Sequence, residues 1–203
     1  MAFVYQPAAG LAQAARLALW ADALVSASAV ALSLTAGAET LISGDLARLF
    51  SLLQLLSWLA SISLFLVWFY RANANARAMG ADDLMGSPGL SVGWFFIPIA
   101  FLFMPYVVVR DTWKASEAPR DWQGRRASPL VGFWWAAMLT ANLAATISFR
   151  IALEGGYGAD EAVGVVDLIS NVAAVAAGLL GAQLVAGIQG RQIDPAHLSD
   201  TFR

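Results

Sequence analysis

The residues of this sequence that are equipped for chemistry are few and scattered. Cysteine is absent, and the only histidine, His197, stands near the C-terminus. The sequence therefore offers no disulfide, no thiolate nucleophile and little for a zinc site. No serine has a histidine available as its base, and there is no glycine-rich phosphate loop. We expect a protein without catalytic activity, metal or cofactor.

Polar residues inside long apolar runs are the remaining candidates, because such positions are costly and frequently functional. They are Asp22, Asn142, Arg150, Asp167 and Asn171. Counting outward from the Gly155-Gly156 loop places Arg150 and Asp167 at similar depth, which predicts a salt bridge. Asn171 continues a stripe of small residues that is typical of a helix-packing seam. The alternative is a proton or solute path.

The polar residues of the first two apolar runs have predicted partners as well. Asp22 stands about two turns into the first run, where we expect it to pair with Arg16 or Arg71. Gln54, Ser57 and Ser61 form a stripe on the second run, which predicts hydrogen bonds between helices.

The elements that hold these residues are membrane helices. Among 203 residues, 59% are hydrophobic and 13% are charged, which leaves too little charge for a water-exposed surface. Four apolar runs are long enough to cross about 30 Å of hydrocarbon as helices. They cover residues 14–36, 46–70, 129–151 and 163–188. The sequence predicts an all-α membrane helix bundle that forms one integral-membrane domain over residues 1–203.

A fifth apolar run, residues 90–109, contains Pro98 and Pro105, each of which strains a straight helix. Of the twelve Lys and Arg residues, all but Arg48 and Arg150 fall in the N-terminal segment, the loops flanking this run and the C-terminal tail. The positive-inside rule then puts those segments and both termini in the cytoplasm. The fifth run must return to the side it left, as a re-entrant or interfacial segment. The alternative is a kinked fifth crossing.

From Pro105 onward the spacing predicts an amphipathic helix lying along the lipid headgroups. Its apolar side comprises Tyr106, Val109 and Trp113, and its charged side comprises Arg110, Lys114 and Glu117.

Residues 68–116 carry a family resemblance. The relevant text is WFYRANANARAMG followed by SPGLSVGWFFIPIAFLFMPYVVVRDTWKAS. It resembles an uncharacterised family of bacterial integral-membrane proteins, the domain of unknown function 4328. The resemblance implies a membrane location and no known activity. The chain departs from the family pattern at Phe101 and Val107, where apolar residues replace an asparagine and a glutamine, which weakens any aqueous path through the broken segment.

The resemblance also defines a candidate cluster. It comprises Arg71, Asn75, Arg77, Trp94, Pro98, Pro105, Tyr106, Arg110 and Trp113. We expect Arg71, Asn75 and Arg77 to satisfy carbonyl groups that the two prolines leave without donors. Ligand binding is the alternative role for these residues.

The favoured function is a non-catalytic accessory, scaffold or signalling component at the cytoplasmic face of a bacterial inner membrane. Expected partners are the bilayer, its anionic headgroups, and a membrane protein or a second copy of the chain, with no nucleic acid. The alternative is a small transporter or channel that uses Asp22 or the Arg150 and Asp167 pair.

Overall fold

The computed structural model describes residues 3–35, 44–156 and 158–192, and over these residues it contains helices and no strand. His197 lies outside the described residues. The helices are α1 Ala9–Leu34, α2 Gly44–Ala78, α3 Pro88–Gly93, α4 Met104–Glu117, α5 Pro129–Glu154 and α6 Ala159–Arg191. Of these, α1, α2, α5 and α6 are long and apolar enough to cross a membrane. The predicted helical membrane bundle with four crossings is confirmed.

The second helix is longer than the sequence suggested. We expected it to end near Arg71, but α2 continues to Ala78. The extension is rich in alanine, the best helix former, and it buries Ala72, Asn73 and Ala76 almost completely. The predicted end was wrong because a helix leaving an apolar run remains stable when one face is packed.

The end of α2 is set by a glycine. Gly80 has φ of 100°, in the left-handed region. Its N–H donates to the Arg77 carbonyl at 3.0 Å, and the Ala81 N–H donates to the Ala76 carbonyl at 3.1 Å. This pair of bonds is a Schellman motif, which satisfies carbonyls at the helix end and turns the chain.

The fifth apolar run is broken, as predicted. Ser87 caps α3 by accepting a hydrogen bond from the Leu90 N–H, and α3 ends at Gly93. Residues 94–103 then follow turns and one 3₁₀ segment, Ala100–Leu102, before α4 starts. Within this stretch the backbone bonds are local, for example from the Phe103 N–H to the Ala100 carbonyl at 3.0 Å.

The chain divides into two compact units. The loop-bearing unit consists of residues 1–16, 63–132 and 182–203, and the helix-only unit consists of residues 17–62 and 133–181. Each long helix contributes residues to both. The single-domain prediction therefore stays a prediction.

The cores of the two units differ in kind. In the loop-bearing unit, the parallel rings of Phe65 and Phe69 are 6.0 Å apart, and Phe95 meets Phe69 edge-on at 6.1 Å. In the helix-only unit, Gly178 of α6 lies so near the backbone of Leu19 that a Cβ there would be 2.7 Å from the Leu19 carbonyl oxygen. Rings fill the first core, whereas close helix approach builds the second.

Candidate functional site

The C-terminal end of α2 is the centre of a buried polar network in the loop-bearing unit. The Asn73 amide donates to the Thr112 hydroxyl of α4 at 2.9 Å and accepts from the Arg77 Nε at 3.1 Å. Asn73 and Thr112 are 2% and 0% exposed. Because buried polar groups without partners are costly, these bonds fix α4 against α2.

Arg77 extends the network to the loop before α3. Its Nη2 donates to the carbonyls of Leu84 and Gly86 at 3.2 and 2.8 Å. The expectation that Arg77 binds backbone carbonyls is met, but the carbonyls belong to this loop and not to the proline-broken stretch. The broken stretch instead bonds within itself.

Both flanks of the broken run contact the same end of α2. Gly86, before the run, bonds Arg77, and Thr112, after it, bonds Asn73. Arg77 and Asn73 are one helical turn apart and bonded to each other. A crossing would separate its two ends by about 30 Å. The run therefore returns to where it began, which excludes the alternative of a fifth crossing.

Asn75 binds the N-terminal segment and not the broken run. Its side chain accepts from the Gln6 N–H at 3.0 Å and donates to the Gln6 carbonyl at 2.8 Å. Beside this clamp, the Phe3 ring centroid lies 5.7 Å from the Arg77 guanidinium carbon. The expected role of Asn75 near the prolines was wrong, because the N-terminal segment occupies its hydrogen-bonding groups.

The end of α6 joins the same network. The Gln192 Nε2 donates to the Ala72 carbonyl at 2.7 Å and to the Ser116 hydroxyl at 2.9 Å. The backbone carbonyl of Gln192 accepts from the Tyr5 hydroxyl at 3.1 Å. The N-terminal segment, α2, α4 and the end of α6 are thus held together by buried and partly buried hydrogen bonds.

Helix α4 has the amphipathic character that the sequence predicted, but its buried face is partly polar. Asp111, Thr112 and Ser116 are buried together with Trp113. The helix therefore packs against protein on this face, and its position along the lipid headgroups stays a prediction. Polar residues that bond neighbouring helices favour such a packed position.

Two predicted members of the cluster meet on α4. The Arg110 guanidinium carbon lies 5.7 Å from the Tyr106 ring centroid. Arg110 also forms a 2.8 Å salt bridge with Asp111. The hydrogen bond to Asp111 raises the pKa of Arg110, and burial opposes that shift. Arg110 is charged at any physiological pH, so its contact with the Tyr106 ring does not depend on pH.

Trp113 locks α4 to the end of α6. The Arg191 guanidinium carbon stacks 4.1 Å from the Trp113 ring centroid, a cation–π contact. The ring also covers Gly187, where a Cβ would come within 2.5 Å of it. Trp113 is therefore a packing residue that requires glycine on the facing helix.

The remaining predicted members stand apart from the network. Arg71 is half-buried and takes no part in these bonds, and Pro98 lies in the exposed turn whereas Pro105 is buried at the start of α4. The Trp94 indole nitrogen is buried without a partner among the described residues. These three cluster residues, Arg71, Pro98 and Trp94, are not joined to Asn75 or Arg77.

The broken stretch exposes its large apolar side chains. Phe96 is 68% exposed, Ile99 79% and Phe103 63%. No charged residue lies between Trp94 and Phe103. Contiguous exposed apolar side chains mark a surface that meets a membrane or a protein.

In the helix-only unit, polar residues join helices. The Ser57 hydroxyl of α2 donates to Asp22 of α1 at 2.7 Å, and Gln54 of α2 donates to Asn171 of α6 at 3.0 Å. The predicted bonds of Gln54 and Ser57 are confirmed, whereas Ser61 bonds the carbonyl of Trp58 in its own helix. We expected Asp22 to pair with Arg16 or Arg71. Its carboxylate instead accepts the hydrogen bond from Ser57.

Arg150 and Asp167 form no salt bridge in the described chain. The Ser170 hydroxyl of α6 donates to the Ala141 carbonyl of α5 at 3.0 Å. This contact sets the register, so Arg150, nine residues after Ala141, comes level with Glu161, nine residues before Ser170. The prediction was wrong because α5 runs to Glu154 and α6 starts at Ala159, so the connecting loop is shorter than assumed.

Asn142 forms its hydrogen bonds within its own helix. Its Nδ2 donates to the Met138 carbonyl one turn earlier in α5 at 2.8 Å, and Thr146 donates to the Asn142 carbonyl at 2.8 Å. Both bonds stay within α5. They leave the Asn142 side-chain oxygen without a partner among the described residues.

A family model described as Domain of unknown function (DUF4328) matches residues 33–190. The chain belongs to the DUF4328 family. The match confirms the resemblance at residues 68–116 and extends it over the whole of α2 to α5 and nearly all of α6. Comparisons with curated proteins and with solved structures give no match.

Several residues that hold the DUF4328 polar network were not predicted. They are Gln6, Asn73, Asp111, Thr112, Ser116 and Gln192. Asn73 gave a signal, since it alternates with alanine beside Asn75 in a segment that continues an apolar helix. Gln192 gave none, because its partners lie 120 and 76 residues away along the chain.

Proposed function

We propose that this DUF4328 protein is a non-catalytic accessory or scaffold component that acts at the cytoplasmic face of a bacterial inner membrane. The observation that carries the proposal is the buried polar network of the loop-bearing unit. Its amides and hydroxyls bond one another and the backbone. Groups used in this way build a rigid platform and leave little for substrate chemistry.

The outer surface of the platform supports contact with anionic headgroups. Arg120, Arg125 and Arg126 are exposed in the loop between α4 and α5. Basic residues next to membrane helices attract anionic lipids, each by about 1 kcal/mol near the surface. Their position in a basic loop also supports the cytoplasmic assignment.

The apolar turn of residues 94–103 supports the interfacial position over a re-entrant one. Its non-helical backbone carries exposed side chains, and irregular backbone is not tolerated in contact with lipid at depth. Phe96, Ile99 and Phe103 then enter one leaflet at the level where headgroups still reach the backbone.

A direct test uses the exposed arginines. Replacing Arg125 and Arg126 by glutamine should lower the retention of anionic phospholipid by the detergent-purified protein roughly thirtyfold, at about 1 kcal/mol for each of the two charges. Arg48→Gln is the matched control, because Arg48 is exposed in the helix-only unit and its partner among the described residues is Asp45. Wild-type protein that purifies with neither a partner nor an excess of anionic lipid would overturn the proposal.

The side of the membrane on which each loop lies can be tested separately by labelling introduced cysteines. The sequence has no cysteine of its own, so there is no background labelling. Single cysteines at the exposed positions Asp82 and Glu117 should react with an impermeant maleimide from the cytoplasmic side. Glu154→Cys should react from the opposite side only. Labelling of Asp82→Cys and Glu117→Cys from the outside would reject the cytoplasmic assignment.

The transporter alternative has less support. Asp22 and Asn171 each accept a hydrogen bond from a neighbouring helix, which is the usual use of polar residues within a bundle. A proteoliposome flux that is lost in Asp22→Asn would favour transport over the scaffold.

A further inference from the structure

The helix-only unit contains a crevice between α2, α5 and α6 with a volume of about 430 Å³. Its walls include Leu55 and Trp58 of α2, Asn142, Ala145 and Phe149 of α5, and Ala174 of α6. The alanines leave the space that larger residues would fill. The size falls within the range of about 300–1,000 Å³ that is typical of small-molecule sites.

The crevice has polar atoms that the protein does not satisfy. The Asn142 side-chain oxygen and the Trp58 indole N–H have no hydrogen-bond partner among the described residues, although Asn142 Nδ2 donates to Met138. Turning the amide around would only leave its nitrogen unpaired instead. An unsatisfied polar group in a hydrocarbon environment is costly, so the wall is suited to a ligand with a hydrogen-bonding group.

The surroundings define where the ligand comes from. Phe149 on the wall is 63% exposed, and the neighbouring Ile147 and Val172 are 51% and 52% exposed. These residues belong to helices that are apolar enough to span a membrane. The crevice therefore opens to lipid, and its occupant must be dissolved in the bilayer.

Charge and size restrict the occupant further. No Asp, Glu, Lys or Arg lines the crevice, which disfavours an ionised ligand. At about 30 Å³ for each water, the space holds about fourteen water-sized groups, and a methylene is of similar size. One narrow hydrocarbon chain fits, whereas a helix with a diameter of about 10 Å does not.

We propose that this crevice binds an uncharged, lipid-soluble alcohol with a single hydrocarbon chain, whose hydroxyl pairs with the Asn142 amide and whose chain lies over Ala145 and Ala174. The site is independent of the platform in the loop-bearing unit. Whether or not the crevice binds such an alcohol, the proposed scaffold function is unaffected.

The test uses the purified full-length chain in neutral phosphatidylcholine vesicles with a dodecanol that carries a photoreactive diazirine, because a chain of this length matches the volume of the crevice. Saturable labelling is expected on the peptides that contain Ala145 and Ala174. Unlabelled dodecanol should compete about threefold better than dodecane, which is the ratio that an average intramembrane hydrogen bond of about 0.6 kcal/mol provides.

Three variants make the test specific. Ala145→Phe should fill the crevice and abolish the saturable labelling, and Ala174→Phe should do the same from α6 if the first variant does not fold. Ile147→Phe is the matched control, since it adds a ring on the exposed side of α5, and it should leave labelling unchanged. Asn142→Leu should keep labelling but abolish the preference for the alcohol.

Two results would overturn the proposal. One is labelling that spreads evenly over the exposed faces of α5 and α6 and persists in Ala145→Phe and Ala174→Phe, because the crevice would then hold only bulk lipid. The other is equal competition by dodecanol and dodecane in the wild-type chain, because the Asn142 amide would then contribute nothing to recognition.

Discussion

The loop-bearing and helix-only units draw on the same four long helices, yet they use polar residues differently. In the loop-bearing unit Asn73, Asn75 and Thr112 are all at most 2% exposed, and each bonds another segment of the chain. In the helix-only unit the side chains that bond another helix are half-buried, such as Gln54 and Asn171.

The difference follows from the backbone. A long helix satisfies its own N–H and carbonyl groups, so polar side chains in the helix-only unit are needed only to join helices. The loop-bearing unit contains turns whose carbonyls need donors, such as those of Leu84 and Gly86, and Arg77 supplies them. Irregular chain in this protein is thus coupled to buried polar side chains.

The largest expected effect compares one asparagine from each unit. Asn73→Ala should lower the free energy of unfolding by about 3 kcal/mol, because it removes two hydrogen bonds and one of them is to a charged guanidinium. Asn142→Ala should change it by less than about 0.5 kcal/mol, because that side chain bonds only its own helix. Unfolding in mixed micelles, followed by tryptophan fluorescence, measures both. Equal losses would remove the distinction between the units.

Close helix packing gives the next largest effect. Gly178→Ala should cost about 2 kcal/mol, within the usual range for overpacking, because its Cβ would meet the Leu19 carbonyl oxygen at 2.7 Å. Gly187→Ala should cost somewhat less, since it meets the Trp113 side chain, which moves more easily than backbone. The same unfolding measurement ranks the two.

Glycines in open positions serve as controls for this prediction. A Cβ on Gly164 or Gly190 would have nothing within 4 Å. Alanine there should stabilise α6 by up to about 1 kcal/mol through helix propensity. If Gly178→Ala were as well tolerated as Gly164→Ala, the close approach of α6 to α1 would be refuted.

The smallest effect concerns the bond between Gln54 and Asn171. A double-mutant cycle with leucine at each position should give a coupling of about 0.6 kcal/mol, the average for hydrogen bonds between membrane helices. A coupling above about 2 kcal/mol would mean that the helix-only unit depends on its polar contacts as strongly as the loop-bearing unit, contrary to the comparison.

Sequence patterns predicted the elements better than the contacts. Hydropathy gave the four crossings, and Pro98 and Pro105 gave the break in residues 90–109, because both depend on local composition. The pairing of Arg150 with Asp167 failed because register depends on where a loop begins and ends. A shift of a few residues in the loop between α5 and α6 moved Asp167 away from Arg150.

For the candidate site, the sequence pointed to several of the residues but did not predict which residues they bond. These candidates are Asn75, Arg77, Arg110 and Trp113. Gln6, Leu84 and Gly187 are distant from them in sequence or carry no side-chain signal of their own. Ala72, Asn73, Asn75 and Ala76 recur at the spacing of one helix face, and that spacing would have extended α2 to its observed end.

The sequence by itself determined that this chain spans a membrane with four helices and that residues 90–109 cannot be a straight helix. Apolar run length and proline are local properties, and they suffice for both conclusions. Only the tertiary structure decided that both flanks of that run return to Asn73 and Arg77, and that Asn75 holds the N-terminal segment. Hydrogen bonds between distant segments depend on packing, which no local pattern encodes.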